Sequence, residues 1–297
     1  MTYLPENVTP EQYPFSGKYL PVRGGLRLHY LDEGAGKPVL MLHGNPSWSF
    51  YYRNLARALR GDNRVIVPDH IGCGLSDKPG DDNYDYTLKS RVEDVETLLD
   101  SLALQEKITL VVHDWGGMIG LAVAARRPGR IEKIVVLNTG AFFLPGGKSF
   151  PAALRLVRTF LGALLVRGGN AFARGAAWVG CKRKRMSPAL RAAYTAPYDS
   201  WANRIATLRF VQDIPLAPGD KAYALVDETQ QKLHLLSGVP MLICWGPKDF
   251  VFDRHFLAEW RRRFPAAEVH EFPDCGHYIL EDAADEVIPL IKNFVGK

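Results

Sequence analysis

The sequence predicts an α/β fold: a mainly parallel central sheet wrapped by helices on both sides, interrupted once by a helical cap insertion. Three observations predict it. Short, unbroken, β-branched runs such as Ile108 to Val112 alternate with amphipathic stretches such as Thr87 to Leu102, the pattern of strands buried on both faces and joined by helical crossovers. Polar residues and glycines gather just after those runs, where sheets of this kind keep their chemistry. The alternation then stops near Ala141 and resumes after Gln231. Residues 1–140 and 232–297 are therefore expected to form the α/β core, and residues 141–231 the cap.

Each element follows from local pattern. Gly25 to Glu33 alternates at Leu26, Leu28 and Tyr30, as an early strand does, and Pro38 to Leu42 is a second, apolar strand ending in His43-Gly44-Asn45-Pro46. Helical spacing runs from Ser49 to Leu59. Arg64 to Pro68 is the next strand, before a Gly-punctuated turn through Asp69 to Pro79. The helix Thr87 to Leu102 keeps Val92, Val95, Leu98, Leu99 and Leu102 on one side and leads back to Ile108. A helix runs through Met118 to Arg127 up to Pro128, and Ile131 to Leu137 is a buried strand ending at Asn138. Within the cap, Ala152 to Val166, Ala171 to Val179, Pro188 to Tyr194 and Asp199 to Val211 read as helices. Val239 to Trp245 and Glu268 to Phe272 complete the sheet, and a closing helix reaches Phe294.

Composition narrows the function. A 297-residue chain that is 47% hydrophobic can bury a large core. Its N-terminus lacks a basic start followed by an apolar core, and no window reaches about eighteen uninterrupted apolar residues, so a cytoplasmic protein is expected. Cys73, Cys181, Cys244 and Cys275 lack paired spacing and read as free thiols; neither a metal site nor a cofactor is expected. The net charge of +5 is unevenly spread: Ala141 to Pro215 holds twelve Lys and Arg against Asp199 and Asp213, or +10, leaving −5 elsewhere. Arg155, Arg158 and Lys182 to Arg185 sit among Leu154, Leu156, Phe160, Leu161, Leu164 and Leu165, the makeup of a segment that lies against a membrane or another protein. Without a recognisable nucleic-acid-binding module, nucleic acid is not an expected partner.

The chemistry centres on Ile108 to Gly120, where the apolar run turns abruptly at His113-Asp114-Trp115-Gly116-Gly117. Strand, tight turn and helix form a nucleophile elbow, with aspartate in the serine position of G-x-S-x-G. Val112 departs from that pattern, since a glycine often stands two before the nucleophile. A carboxylate there makes an ester with an electrophilic carbon; the structural alternative is that Asp114 only caps the following helix. Asp249 and His277 also follow strands, giving the order nucleophile, acid, histidine. Asp114 is ionised at neutral pH and attacks without a base; His277 then activates water or steers a proton, and Asp249 fixes its tautomer. Asn45 and Trp115, whose indole N–H only donates, are the donors available to an anionic leaving group.

The His43-Gly44-Asn45-Pro46, His113-Asp114-Trp115-Gly116-Gly117 and Gly246-Pro247-Lys248-Asp249 motifs, with Gly276-His277, resemble the haloalkane dehalogenases of the α/β-hydrolase superfamily along essentially the whole chain. The resemblance implies the α/β-hydrolase fold, with Asp114 as nucleophile, His277 as base, Asp249 as acid, and Asn45 and Trp115 gripping the leaving group. Some members place the acid after the strand that here ends at Asn138, an amide, which leaves Asp249. The Asp, His, Asp triad with its Asn, Trp pair, and the cap wording Arg167 to Gly175, resemble the β-lactone decarboxylases of bacterial long-chain olefin biosynthesis. That branch implies a long-chain β-lactone substrate and an assembly with other olefin-biosynthesis enzymes. Its rivals are a haloalkane dehalogenase, an epoxide hydrolase using tyrosines among Tyr194, Tyr198 and Tyr223, and a catalytically idle acyl-binding scaffold. Asp114 itself disfavours a serine esterase.

Overall fold

The computed structural model describes residues 4–297. Eight strands form one sheet: β1 Lys18–Pro21, β2 Arg27–Glu33, β3 Lys37–Leu42, β4 Asn63–Pro68, β5 Ile108–Asp114, β6 Ile131–Thr139, β7 Met241–Trp245 and β8 Glu268–Glu271. Their spatial order is β1-β2-β4-β3-β5-β6-β7-β8. The first two pairings, β1 with β2 and β2 with β4, are antiparallel; every later one is parallel. The expected mainly parallel sheet is therefore present, extended by an edge hairpin. Its outer strand, Lys-Tyr-Leu-Pro, is short and mostly exposed, and carries no apolar run by which to recognise it.

Helices cover both faces, and the strand alternation shows how. Leu40 and Leu42 of β3, Leu110 and Val112 of β5, Ile134 and Val136 of β6 and Ile243 of β7 point into one core. Val39, Met41, Val111, Val135, Leu137 and Leu242 point into the other. Helices α1 Arg53–Leu59, α2 Leu88–Ser101 and α3 Trp115–Arg126 precede the insertion; α2 and α3 pack on the first core, and α1 on the second. All seven residues of β5 are buried, which explains its unbroken apolar sequence.

Between β6 and β7 there is no strand. Helices α4 Ala152–Val157, α5 Phe160–Gly169, α6 Ala171–Val179, α7 Pro188–Thr195, α8 Ile205–Gln212 and α9 Tyr223–Lys232 follow one another. The single helix expected over Ala152 to Val166 is two. Thr159 is extended (φ −85°, ψ 164°) and its side chain accepts from the Gly162 N–H, so it ends one helix and caps the next. Helix α9, which the apolar spacing does not single out, supplies Val226 to the first core. Beyond β7 come α10 Arg254–Arg263, also not anticipated, then α11 Ile279–Asp282 and α12 Ala284–Gly296. No helix among the described residues is long and apolar enough to cross a membrane. All four cysteines are buried and free.

Candidate active site

Asp114 ends β5 and opens α3 with φ 52° and ψ −126°, a sparsely populated conformation for a residue with a side chain. Its side chain makes no helix-capping hydrogen bond, so the capping role is not what holds it there. Close packing holds the turn instead. Gly117 faces Thr139, whose hydroxyl donates to the Asp114 carbonyl; a Cβ on Gly117 would lie 1.8 Å from that hydroxyl oxygen. Gly120 accommodates the departure at Val112, since a Cβ there would come within 2.8 Å of Val112 Cγ1. The missing strand glycine is thus matched by a small residue one helical turn into α3.

The strained turn aims the carboxylate two ways. Oδ1 accepts the backbone N–H of Asn45 at 2.6 Å. Oδ2 lies 3.7 Å from His277 Nε2. Burial raises the Asp114 pKa above its usual value, and the His277 charge and the nearby backbone N–H groups of Asn45 and Trp115 only partly offset it. His277 follows β8, and its Nδ1 donates to Asp249 Oδ2 at 2.7 Å. Burial works against a charge on this ring, but Asp249 and Asp114 together outweigh it and raise its pKa. Asp249, Asp114 and His277 are all buried.

Residues that the sequence did not single out hold this set in place. Asn138, in the other acid position, donates from Nδ2 to Asp249 Oδ2 (3.1 Å) and to Gly246 O (2.9 Å), while its Oδ1 accepts the Gly246 N–H. An amide there fastens the loop bearing the acid instead of supplying one. The Val251 N–H binds the second Asp249 oxygen at 2.8 Å. His113 donates from Nε2 to the His277 carbonyl at 2.8 Å; burial and the neighbouring His277 push its pKa far down and keep it neutral. The only sequence signals for these roles were position: Asn138 closes a strand beside Asp249, and His113 precedes the elbow.

Asn45, Asp114, Trp115 and His277 line one cavity of ≈120 Å³. Its remaining wall is largely apolar and includes Phe142, Phe150, Leu154, Phe172, Val211, Ile214 and Phe252. Three of these, Phe150, Leu154 and Val211, form a small core of their own within the insertion. Asn45 is more constrained than expected. One of its side-chain N–H groups donates to the Thr207 carbonyl of α8 at 3.0 Å, leaving the other for a ligand. The tyrosines considered for an epoxide hydrolase do not line the cavity: Tyr194 donates to Glu281, Tyr198 to the Ser47 carbonyl, and Tyr223 packs tilted against Phe143. Arg158, counted among the cap cations, instead donates to the carbonyls of Val211, Gln212 and Ile214 at the end of α8.

A parallel sheet with an elbow at its centre, an acid and a histidine on later strand ends, and an apolar cavity above them define an α/β-hydrolase-fold enzyme. The family model of the alpha/beta hydrolase fold matches residues 37–284. The chain is 62% identical to a cis-3-alkyl-4-alkyloxetan-2-one decarboxylase of Shewanella oneidensis, covering 95% of this chain and 89% of that protein. It is 48% identical to one of Xanthomonas campestris pv. campestris, covering 95% and 97%. Among solved structures, the haloalkane dehalogenase DbeA from Bradyrhizobium elkani USDA94 matches with a TM-score of 0.85 at 25% identity, covering 95% of this chain and 98% of that one. The chain belongs to the α/β-hydrolase-fold family and, within it, to the family of these oxetan-2-one decarboxylases.

Proposed function

We propose that the protein is a cis-β-lactone decarboxylase, converting a cis-3-alkyl-4-alkyloxetan-2-one with long alkyl chains into a cis-alkene and carbon dioxide through a covalent adduct on Asp114. The observation that carries the mechanism is the Asp114 carboxylate, with one oxygen held by the Asn45 backbone N–H and the other beside His277 at the cavity wall. The substrate class follows the two decarboxylase relatives.

In this reading Asp114 Oδ2 attacks the ring carbon that bears the ring oxygen. That carbon–oxygen bond breaks and its electron pair leaves on a carboxylate, which the free N–H of Asn45 and the indole N–H of Trp115 receive. The bond to that carboxylate then breaks to release carbon dioxide. Its electron pair forms the double bond as the ester bond to Asp114 breaks and returns a pair to Asp114. Atoms and charge balance and no water is consumed. Protonated His277, held by Asp249, compensates the charge returning to Asp114. Inversion at the attacked carbon followed by anti fragmentation keeps cis geometry. Long chains exceed a cavity of ≈120 Å³, small beside the ~300–1,000 Å³ of sites for drug-sized ligands, so the chains extend beyond it. Such substrates are insoluble, and the reading extends to partners: other enzymes of long-chain olefin formation in an assembly, and a peripheral membrane contact through the basic cap.

A β-lactone labelled with heavy oxygen in the ring tests this. Cis-alkene and carbon dioxide retaining the label are expected; an oxygen-18 label missing from the carbon dioxide would mean attack at the carbonyl, through an anhydride. The dehalogenase alternative uses the same atoms but must hydrolyse an alkyl ester. Bromide release from a bromoalkane faster than lactone turnover, with heavy oxygen from water entering Asp114, would favour it.

A further inference from the structure

Helix α5 carries an apolar face that the fold does not bury. Phe160 is 81% exposed, Leu161 59%, Leu164 41% and Leu165 45%. Positions three and four apart on a helix share a side, so these four form one outward stripe, while Gly162 and Val166 are buried behind it. An amphipathic helix normally turns its apolar stripe inward. Contiguous exposure of this kind marks a surface that meets another phase or molecule.

Charge identifies the occupant. From Ala141 to Tyr198 there are ten Lys and Arg and no Asp or Glu. Lys148 and Arg183 are paired with Asp253, and with Asp274 and Glu286. Arg155, Arg174, Lys182, Lys184 and Arg185 are exposed and, among the described residues, have no ion pair. A second copy docking through the same segment would meet its own excess of positive charge. Trp178 on α6 and Trp201 after α7 are about half exposed, the aromatic type favoured where hydrocarbon meets headgroups.

We propose that α5 docks the protein on an anionic lipid surface, its Phe160, Leu161, Leu164 and Leu165 stripe entering the boundary between headgroups and acyl chains and the free cap cations meeting lipid phosphates. The cavity is lined from the same helical layer, by Leu154 of α4 and by Phe172 and Ala176 of α6. A long-chain substrate dissolved in the lipid has only that layer to cross. This use of the surface rests on the decarboxylase reading; the docking does not.

Vesicle flotation without substrate separates the two. Wild-type protein is expected to float with phosphatidylcholine vesicles containing phosphatidylglycerol, at least ~10-fold more strongly than with phosphatidylcholine alone, and to be released by salt. Phe160→Ser/Leu164→Ser is expected to lose at least ~10-fold in binding, with an unchanged melting temperature and unchanged turnover of a detergent-dispersed lactone. Lys184→Glu/Arg185→Glu is expected to weaken binding to the anionic vesicles alone. Three results would overturn the proposal: no flotation with anionic vesicles, equal flotation of the Phe160/Leu164 variant, or a lipid-free dimer that the same variant converts to monomer. Failure to turn over lactone with flotation intact would remove the decarboxylase reading and leave the docking surface standing.

Discussion

At Asp114 the backbone does what a helix cap does not require. A positive φ on a non-glycine residue costs about 1–3 kcal/mol and persists only where the surroundings over-determine it; here Thr139 and the small residues of α3 do so. Gly117→Ala would push a methyl group into Thr139, and we expect it to lower stability by about 1–3 kcal/mol in thermal or urea unfolding, as overpacking does, and to reduce turnover. A wild-type melting curve would contradict the packing described. The pH profile follows from two displaced carboxylate and imidazole equilibria. In the proposed mechanism Asp114 works as the anion, and its pKa is raised by burial, so kcat/KM is expected to fall as pH drops through a value above the ordinary carboxylate range. In the proposed mechanism His277 works as the cation and its pKa is raised despite burial, chiefly by Asp249, so activity falls again as pH rises through a value above 6.5. Asp249→Asn is expected to move that upper limb to lower pH; an unmoved limb would show that Asp249 does not govern His277. The elbow, the acid and the histidine were legible because each follows an apolar run in the order the chemistry needs. Asn138 and His113 were not, because an amide and a neutral histidine that act through neighbours leave no pattern in one sequence.

Among elements, one tie between the core and the insertion is ionic and buried. Arg91 of α2 is wholly buried, its guanidinium 3.6 Å from the Phe210 ring centre and 3.4 Å from Asp213 at the end of α8. Asp213 also accepts the Leu88 N–H that opens α2. Removing one partner of such a pair leaves an uncompensated charge, so Arg91→Met is expected to cost about 3–5 kcal/mol in chemical denaturation, and Arg91→Met/Asp213→Leu to recover much of it. A double variant as unstable as the single one would contradict the pairing. Burial raises the Asp213 carboxyl to about 6 even with Arg91 beside it. A folded pKa above the unfolded value of about 3.9 contributes stability that is complete below pH ~4 and lost as pH rises through about 6. Where the sequence misjudged elements, the reasons are local. Thr159 is a cap inside an apolar run, and the run concealed it. Helix α10 reads Arg-His-Phe-Leu-Ala-Glu-Trp-Arg-Arg-Arg, whose charge hides the buried Phe256, Leu257 and Trp260. Its Asp253 cap, accepting from the His255 N–H, was the available signal.

Across the whole molecule, the sheet topology and the charge asymmetry belong to one arrangement. Parallel strands bring Asp114, Asp249 and His277 from positions far apart in sequence to one edge, and the insertion closes a largely apolar cavity over them while carrying a net excess of positive charge. A second buried cluster fastens the sheet beside this site. Asp69 accepts from His29 at 2.8 Å and from the N–H groups of Ser49 and Leu75 at 2.6 and 2.9 Å. Burial opposes its charge, but these partners hold its pKa down at about 2. This stability is present above the unfolded pKa of about 3.9 and lost as pH falls toward 2. Asp69→Asn is therefore expected to lower the melting temperature at neutral pH and to flatten its decline below pH ~4; an unaltered acid decline would assign that decline to other groups. The central claim is that Asp114 is the covalent nucleophile toward a β-lactone. The most direct test is alkene production from a cis-3-alkyl-4-alkyloxetan-2-one by Asp114→Ala, with its folding verified by an unchanged melting curve. Loss of at least ~1,000-fold in kcat is expected, as for removal of other catalytic nucleophiles; alkene and carbon dioxide formed at the wild-type rate would contradict the claim.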